Sequence, residues 1–199
     1  GLVVGDTAIS DIDGNVGRLL YRGHAIEDLV GRATFEEVTH LVLFGQLPNA
    51  EQLESWSDEL RRWRTPPQAA LDALHSVPRN AHPLAQFRTM MTVAACHIPE
   101  PENTELDAQW RRPARILSLT AALAACAIRH LEGADPLPPR DDLGYAANFL
   151  HQATGRTPSA DETAAFEASL VVQAEHGLHA AAFAALVVIS TGADLGSAV

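Results

Sequence analysis

Glu175, His176 and His179 are the side chains with the most chemistry to offer, and they interrupt an otherwise apolar run, VVQAEHGLHAAAFAALVVIS at residues 171–190. A carboxylate and two imidazoles so close together suit metal ligation, hydrogen bonding to a ligand, or a satisfied polar cluster inside a core. Metal ligation fits poorly. The spacing is neither HExxH nor HxxEH, and no cysteine or carboxylate set stands at ligand spacing. Burying a polar side chain is costly unless something pairs with it. On residues alone, a core histidine bonded to a backbone carbonyl is the simpler reading of His176, and ligand binding is the alternative.

The elements that carry these residues read as helices. Periodicity and breaks predict one over 161–176 and another over 178–192. The second is apolar on nearly every side, which calls for burial in a core or at a subunit seam. Its small residues, Ala180 to Ala182, Ala184 and Ala185, allow close helix–helix approach.

The whole chain has 199 residues, 47% hydrophobic and 20% charged, with a formal net charge of −11. All 14 of its basic residues are arginine. An acidic chain lacks the positive footprint that phosphate backbones require, so nucleic acid is not an expected partner. Apolar runs near 116–128 and 178–189 look short against the ~20 residues that span a bilayer, so no membrane partner is expected. Cys96 and Cys126 form no CxxC pattern and read as buried free thiols, consistent with a reducing cytoplasm.

Elsewhere the fold reads as all-α with one small N-terminal β-hairpin. The hairpin is placed in residues 5–21, its tight turn at Asp13-Gly14. Thr34, Glu37 and Gly45 supply a capping box and a C-terminal glycine around TFEEVTHLVLFG. Asn49 is placed as the cap of the helix that follows Pro48, with acidic residues early and arginines late. Further helices are expected over PPQAALDALHSV, HPLAQFRTMMTVAAC, 112–131 and 139–154, with 98–110 as a loop. His82 reads as a turn-fixing residue at a helix start. Trp56, Trp63 and Trp110 read as core or rim cover, Tyr21-Arg22-Gly23 as structural, Arg140 as organising a helix start, and Arg61, Arg62 and Arg64 as C-terminal caps. Gly14 to Gly17 belongs to the hairpin and not to a phosphate loop.

Five segments in order carry a resemblance: AISDIDGNVGRLLYRGHAIEDL, TFEEVTHLVLFGQLPNAEQLESW, AHPLAQFRTMMT, PLPPRDDLGYAANFLHQATG and AEHGLHAAAFAALVVISTGADLGSAV. Together they resemble citrate synthase of the bacterial and archaeal type. The resemblance implies a multi-helical, citrate-synthase-like large domain, with residues 1–199 as its N-terminal portion. It implies an acyltransferase of the tricarboxylic acid cycle that condenses acetyl-CoA with oxaloacetate to give citrate and CoA. A base removes a proton from the acetyl methyl, the enol attacks a carbonyl polarised by histidine, and the thioester hydrolyses. The alternatives are 2-methylcitrate synthase, with propionyl-CoA as donor, and a non-catalytic paralogue serving as a dimerising or regulatory partner. A homodimer in the cytoplasm is implied, with no cofactor beyond the acyl-CoA co-substrate.

By the same resemblance, His176 matches the histidine that hydrogen-bonds oxaloacetate, and His179 stands as a second contact. The family usually continues NASTF where this chain reads HAAAF. The alanines cannot donate or accept a hydrogen bond, which points to altered efficiency or a divergent paralogue. The family's catalytic histidines and aspartate belong to GPxHGG and GFGHxVY/LR contexts that this chain does not contain. No catalytic residue is therefore assigned within it, and the remainder of an enzyme is expected outside these residues.

Overall fold

The hairpin forms in the computed structural model, which describes residues 6–97, 106–193 and 195–198. Strand β1 (Ser10–Asp13) pairs antiparallel with β2 (Arg18–Tyr21), Ser10 opposite Tyr21 and Asp13 opposite Arg18. The connection is the wider loop 14–17 and not a turn centred on Asp13-Gly14. The Asp13 carboxylate accepts the Asn15 N–H at 3.0 Å, and Gly17 takes a φ of +67°. A third strand, β3 (His24–Ala25), adds to β2. Two residues are too short to show any alternation, so the sequence held no sign of it.

Helices make up the rest: α1 (Ile26–Leu29), α2 (Phe35–Phe44), α3 (Ala50–Arg62), α4 (Gln68–Ser76), α5 (Pro83–His97), α6 (Leu106–Leu131), α7 (Tyr145–Thr154), α8 (Ala160–Val172), α9 (Ala180–Ser190) and α10 (Leu195–Ala198). The chain divides into two compact units, Gly1–Ser55 with Ser159–Phe183 and Trp56–Pro158 with Ala184–Val199.

In the first unit the caps hold as read. Thr34 and Glu37 close a capping box on α2, and Gly45 ends it at a φ of 86°. Ser159 and Glu162 close a second box, not read from the sequence, on α8. A core of Tyr21, Leu29, Val38, Leu41 and Val171 joins the sheet to α1, α2 and α8. Arg22, at a φ of 49°, turns its guanidinium onto the Val42 carbonyl at 3.0 and 3.2 Å, which supports the structural reading of Tyr21-Arg22-Gly23. The Phe35 N–H, an orphan donor at the start of α2, donates to the Glu167 carboxylate of α8 at 3.2 Å.

In the second unit, Ala70, Leu74, Met90, Met91, Ala94, Leu119, Leu123, Cys126 and Ala127 form one core from α4, α5 and α6. Burial pushes the Cys126 thiol up to about 11, as expected of an inert buried cysteine. Cys96, expected to be buried as well, is exposed near the end of α5. The Tyr145 hydroxyl ties α7 to the Leu117 carbonyl of α6 at 2.7 Å. His82 accepts the Leu84 N–H at 3.2 Å, and at the end of the first unit Asn49 and Gln52 cap α3 reciprocally. Trp56 is buried, and the Trp63 indole donates to Glu59 at 3.0 Å. The side chain of Trp110 lies outside the described residues.

Several expected boundaries move. Helix α6 begins at Leu106 and not near 112, so only 98–105 of the expected loop lies outside the described residues. Pro113 within it removes one N–H donor without ending the helix. Residues 111–131 are long and apolar enough to cross a membrane, contrary to the reading of shorter runs. In this fold, 56% of the apolar window is buried, and the stretch is the core helix of its unit. Helix α7 begins at Tyr145 and not at 139. Arg140 organises that start: its guanidinium holds Asp142, and its N–H donates to the Asn148 side chain at 2.8 Å. Arg61 and Arg62 pair with Asp58 and Glu59. Arg64, read as a cap, is instead buried and donates to the Leu143 carbonyl at 2.8 Å, ahead of α7.

Glu167 gives a pH test of the first unit. Its pKa is raised, chiefly by burial and further by the charges of Glu36 and Glu37, against the lowering effect of the Phe35 N–H. An acid whose folded pKa lies above its unfolded value favours folding below the ordinary carboxylate range, and that contribution is lost as pH rises through the folded pKa. Glu167→Gln keeps an acceptor for Phe35 and removes the titration. Thermal melts should show the variant gaining on wild type between pH 4.5 and 7. An unchanged difference across that interval counts against the assignment.

Candidate functional site

The chemistry-bearing residues do not sit in a helix. Helix α8 stops at Val172 and not at 176, and α9 starts at Ala180, so Glu175, His176 and His179 lie in the connection 173–179. Gly177 explains the break, for it takes a φ of +67°, a left-handed conformation that a helix does not tolerate. The apolar surroundings of the sequence had concealed a turn.

That turn is tied to the N-terminal sheet by hydrogen bonds. The Glu175 carboxylate accepts the Gly177 N–H at 2.5 Å and the Ser10 hydroxyl at 3.2 Å. The Tyr21 hydroxyl donates toward the carbonyls of Val172 at 2.9 Å and Glu175 at 3.2 Å, and accepts the Glu175 N–H at 3.3 Å. The Tyr21 side chain is wholly buried. Burial first, and the nearby Glu175 charge second, raise its pKa above the ordinary phenol value, so it stays a protonated donor.

His176 itself is exposed and has no hydrogen-bond partner among the described residues. Both the expected burial and the simpler reading of a core histidine bonded to a carbonyl are therefore corrected, because the helix that would have buried it ends earlier. The structure brings His179 beside it. Their ring centroids are 6.5 Å apart and their planes 29° from parallel. His179 precedes α9, where its carbonyl accepts the Phe183 N–H at 2.9 Å and its ring reaches the Ala182 N–H at 3.5 Å. The two histidines edge a hollow of about 570 Å³ with Glu175, Gln173, Val172, Ile12 and Leu19. Its floor is apolar and comes from the sheet; its polar groups come from the connection. Such a hollow suits a small ligand with an apolar body and oxygen acceptors for imidazole N–H groups.

Ser10 and Tyr21 were not recognised as supports of this site. Nothing local to either residue signals a role, since their partners lie 165 and 151 residues away in sequence.

The family model for the C-terminal domain of citrate synthase matches residues 1–199. The chain belongs to the citrate synthase family. Among its relatives, a 2-methylcitrate synthase of Mycobacterium tuberculosis is 36% identical over 199 residues, covering 100% of this chain and 50% of that protein. A citrate synthase of Mycolicibacterium smegmatis is also 36% identical, over 100% of this chain and 53% of its own length. The solved citrate synthase of Thermoplasma acidophilum, a ternary complex with carboxymethyl coenzyme A and oxaloacetate, superposes with a TM-score of 0.92 at 26% identity, over 99% of this chain and 52% of that one. The chain thus spans about half the length of the citrate synthases and 2-methylcitrate synthases it matches.

Gly177 is the residue on which the connection turns. A Cβ there would meet nothing within 4 Å, so backbone strain alone sets the cost of substitution. Gly177→Ala should therefore destabilise the fold by about 1–2 kcal/mol, the penalty of an L-residue in the left-handed region. Urea unfolding measures it, and an unchanged midpoint would show that the connection relaxes freely.

Proposed function

We propose that the protein condenses an acyl-CoA thioester with oxaloacetate, releasing CoA, and that His176 hydrogen-bonds the oxaloacetate. One observation carries the reading. His176 stands exposed at the rim of a hollow, its ring free of hydrogen bonds among the described residues, on a connection held to the sheet by Tyr21 and Ser10. An imidazole N–H there can polarise a substrate carbonyl or hold a carboxylate, and His179 offers a second donor. The Thermoplasma relative crystallised with oxaloacetate and a coenzyme A analogue supports the same substrate pair.

Acetyl-CoA is the donor in the leading form of this proposal. Propionyl-CoA is the second reading, favoured by relatives of equal identity that carry the name 2-methylcitrate synthase. No residue described here is assigned the proton abstraction that makes the enol, and the reaction needs no metal or redox group. We place the protein in the cytoplasm.

A homodimer completes the proposal. The apolar helix α9 has no buried residue: Phe183, Leu186, Val187 and Ile189 are 43–55% exposed. A second copy would cover such a face, and the alanines allow close approach. Ala184→Glu should shift light scattering of the protein from dimer toward monomer, since a packed seam does not accept an unpaired charge. A wild-type monomer would refute the dimer.

His176→Ala tests the site. A hydrogen bond to a charged group is worth roughly 1.5–3 kcal/mol, so calorimetric affinity for oxaloacetate should fall about 10- to 150-fold. Equal affinities would mean that His176 does not meet the substrate. Thiol release with acetyl-CoA and with propionyl-CoA, measured on protein from the complete gene, separates the two donors, and absence of both indicates the non-catalytic partner.

A further inference from the structure

We propose that Tyr21 and Glu175 are positioning residues for His176, holding its backbone from both sides against the N-terminal sheet. This rests on the reading of His176 as the oxaloacetate contact.

No hydrogen bond among the described residues fixes the His176 ring, whose one ring neighbour is His179, so its placement depends on its backbone. That backbone is bracketed. On one side, the Tyr21 hydroxyl engages both the N–H and the carbonyl of Glu175, at 3.3 and 3.2 Å. On the other, the Glu175 carboxylate reaches over His176 to the Gly177 N–H at 2.5 Å. The same carboxylate is tethered by Ser10, and Ser10 lies directly opposite Tyr21 in the β1–β2 ladder. One cross-strand pair therefore grips Glu175 twice, by main chain and by side chain. A paired strand position is a rigid anchor, and a binding group is only as well placed as the atoms that support it.

The chemistry of the two residues favours this over plain packing. The Tyr21 ring serves the core of the first unit, but every partner of its hydroxyl lies between residues 172 and 175. Phenylalanine would fill the same space. Glu175 forms no salt bridge among the described residues, and its carboxylate accepts from one N–H and one hydroxyl. A half-buried carboxylate without a counter-charge is an expensive means of merely closing a turn. It is justified if the turn must hold one geometry.

The test is a mutant cycle in protein from the complete gene, read as oxaloacetate affinity by calorimetry and as separate KM values for oxaloacetate and acyl-CoA. Losing the hydroxyl that holds the Glu175 main chain predicts a fall in oxaloacetate affinity of about 2- to 10-fold for Tyr21→Phe. Glu175→Ala, which loses the carboxylate's bonds to Gly177 and Ser10, should also fall by a comparable factor. Glu175→Gln retains an acceptor oxygen for Gly177 and Ser10 and should stay within about 2-fold of wild type. The KM for acyl-CoA should hardly move. The deciding measurement uses a His176→Ala background, in which Tyr21→Phe and Glu175→Ala should cost nothing more, because groups acting through one side chain are non-additive. Equal losses in both backgrounds would overturn the proposal. So would unchanged affinity in Tyr21→Phe and Glu175→Ala while His176→Ala binds weakly, an outcome that leaves the oxaloacetate reading intact. If His176→Ala alone has no effect, the oxaloacetate reading falls and the proposal with it. Should Tyr21→Phe fail to fold, the Glu175→Ala and Glu175→Gln pair decides by the same criteria.

Discussion

Between Val172 and Ala180 the backbone leaves one helix and enters another, and its freed polar groups need partners within reach. One buried phenol meets a large part of that need. The Tyr21 hydroxyl serves three backbone groups at once, and Glu175 serves a fourth. Because the phenol belongs to β2, the path of a segment some 150 residues further on depends on a strand at the start of the chain. The hollow has its shape for the same reason, with floor residues from the sheet and polar residues from the segment the sheet holds.

The division of labour between the two units follows from their cores. In the first, a small apolar cluster is supplemented by polar ties: Arg22 to Val42, Glu167 to Phe35, Tyr21 to the connection. Each satisfies a helix-end or turn group that water would otherwise have to reach. In the second, apolar packing of α4, α5 and α6 dominates, and polar ties such as Tyr145 to Leu117 and Arg64 to Leu143 fasten the approach to α7. Polar fastening thus concentrates where the site is built, and apolar packing where helices stack.

Local signals carried most of the fold. Capping residues at Thr34 and Asn49 act within a few positions of themselves, so their meaning survives any tertiary context. Boundaries failed where a distant partner decided them. Arg140 looked helical until its guanidinium and N–H were engaged by Asp142 and Asn148. Helix α8 looked longer until Tyr21 and Glu175 captured residues 172–177. His176 was legible as a candidate site residue from its motif and not from its surroundings. Those surroundings suggested a buried core position, and only the break at Gly177 puts the ring at the surface. Ser10 and Tyr21 could not have been assigned to the site from neighbouring residues, because their relation to it is purely spatial.

Helices α6 and α9 make the complementary point about hydropathy. Both read as apolar, and a hydrophobic helix must be covered by something. Helix α6 finds its cover inside its own unit, where Leu119, Leu123 and Cys126 meet Leu74 and Met90. Helix α9 does not, since Leu186 and Val187 remain about half exposed. Composition alone treats the two alike. What separates them is the turn before α9, whose hydrogen bonds to the sheet are satisfied by main-chain and carboxylate groups and require no burial of the helix that follows. The polar connection fixes where α9 begins, and its apolar face is left to be covered by surfaces beyond that connection.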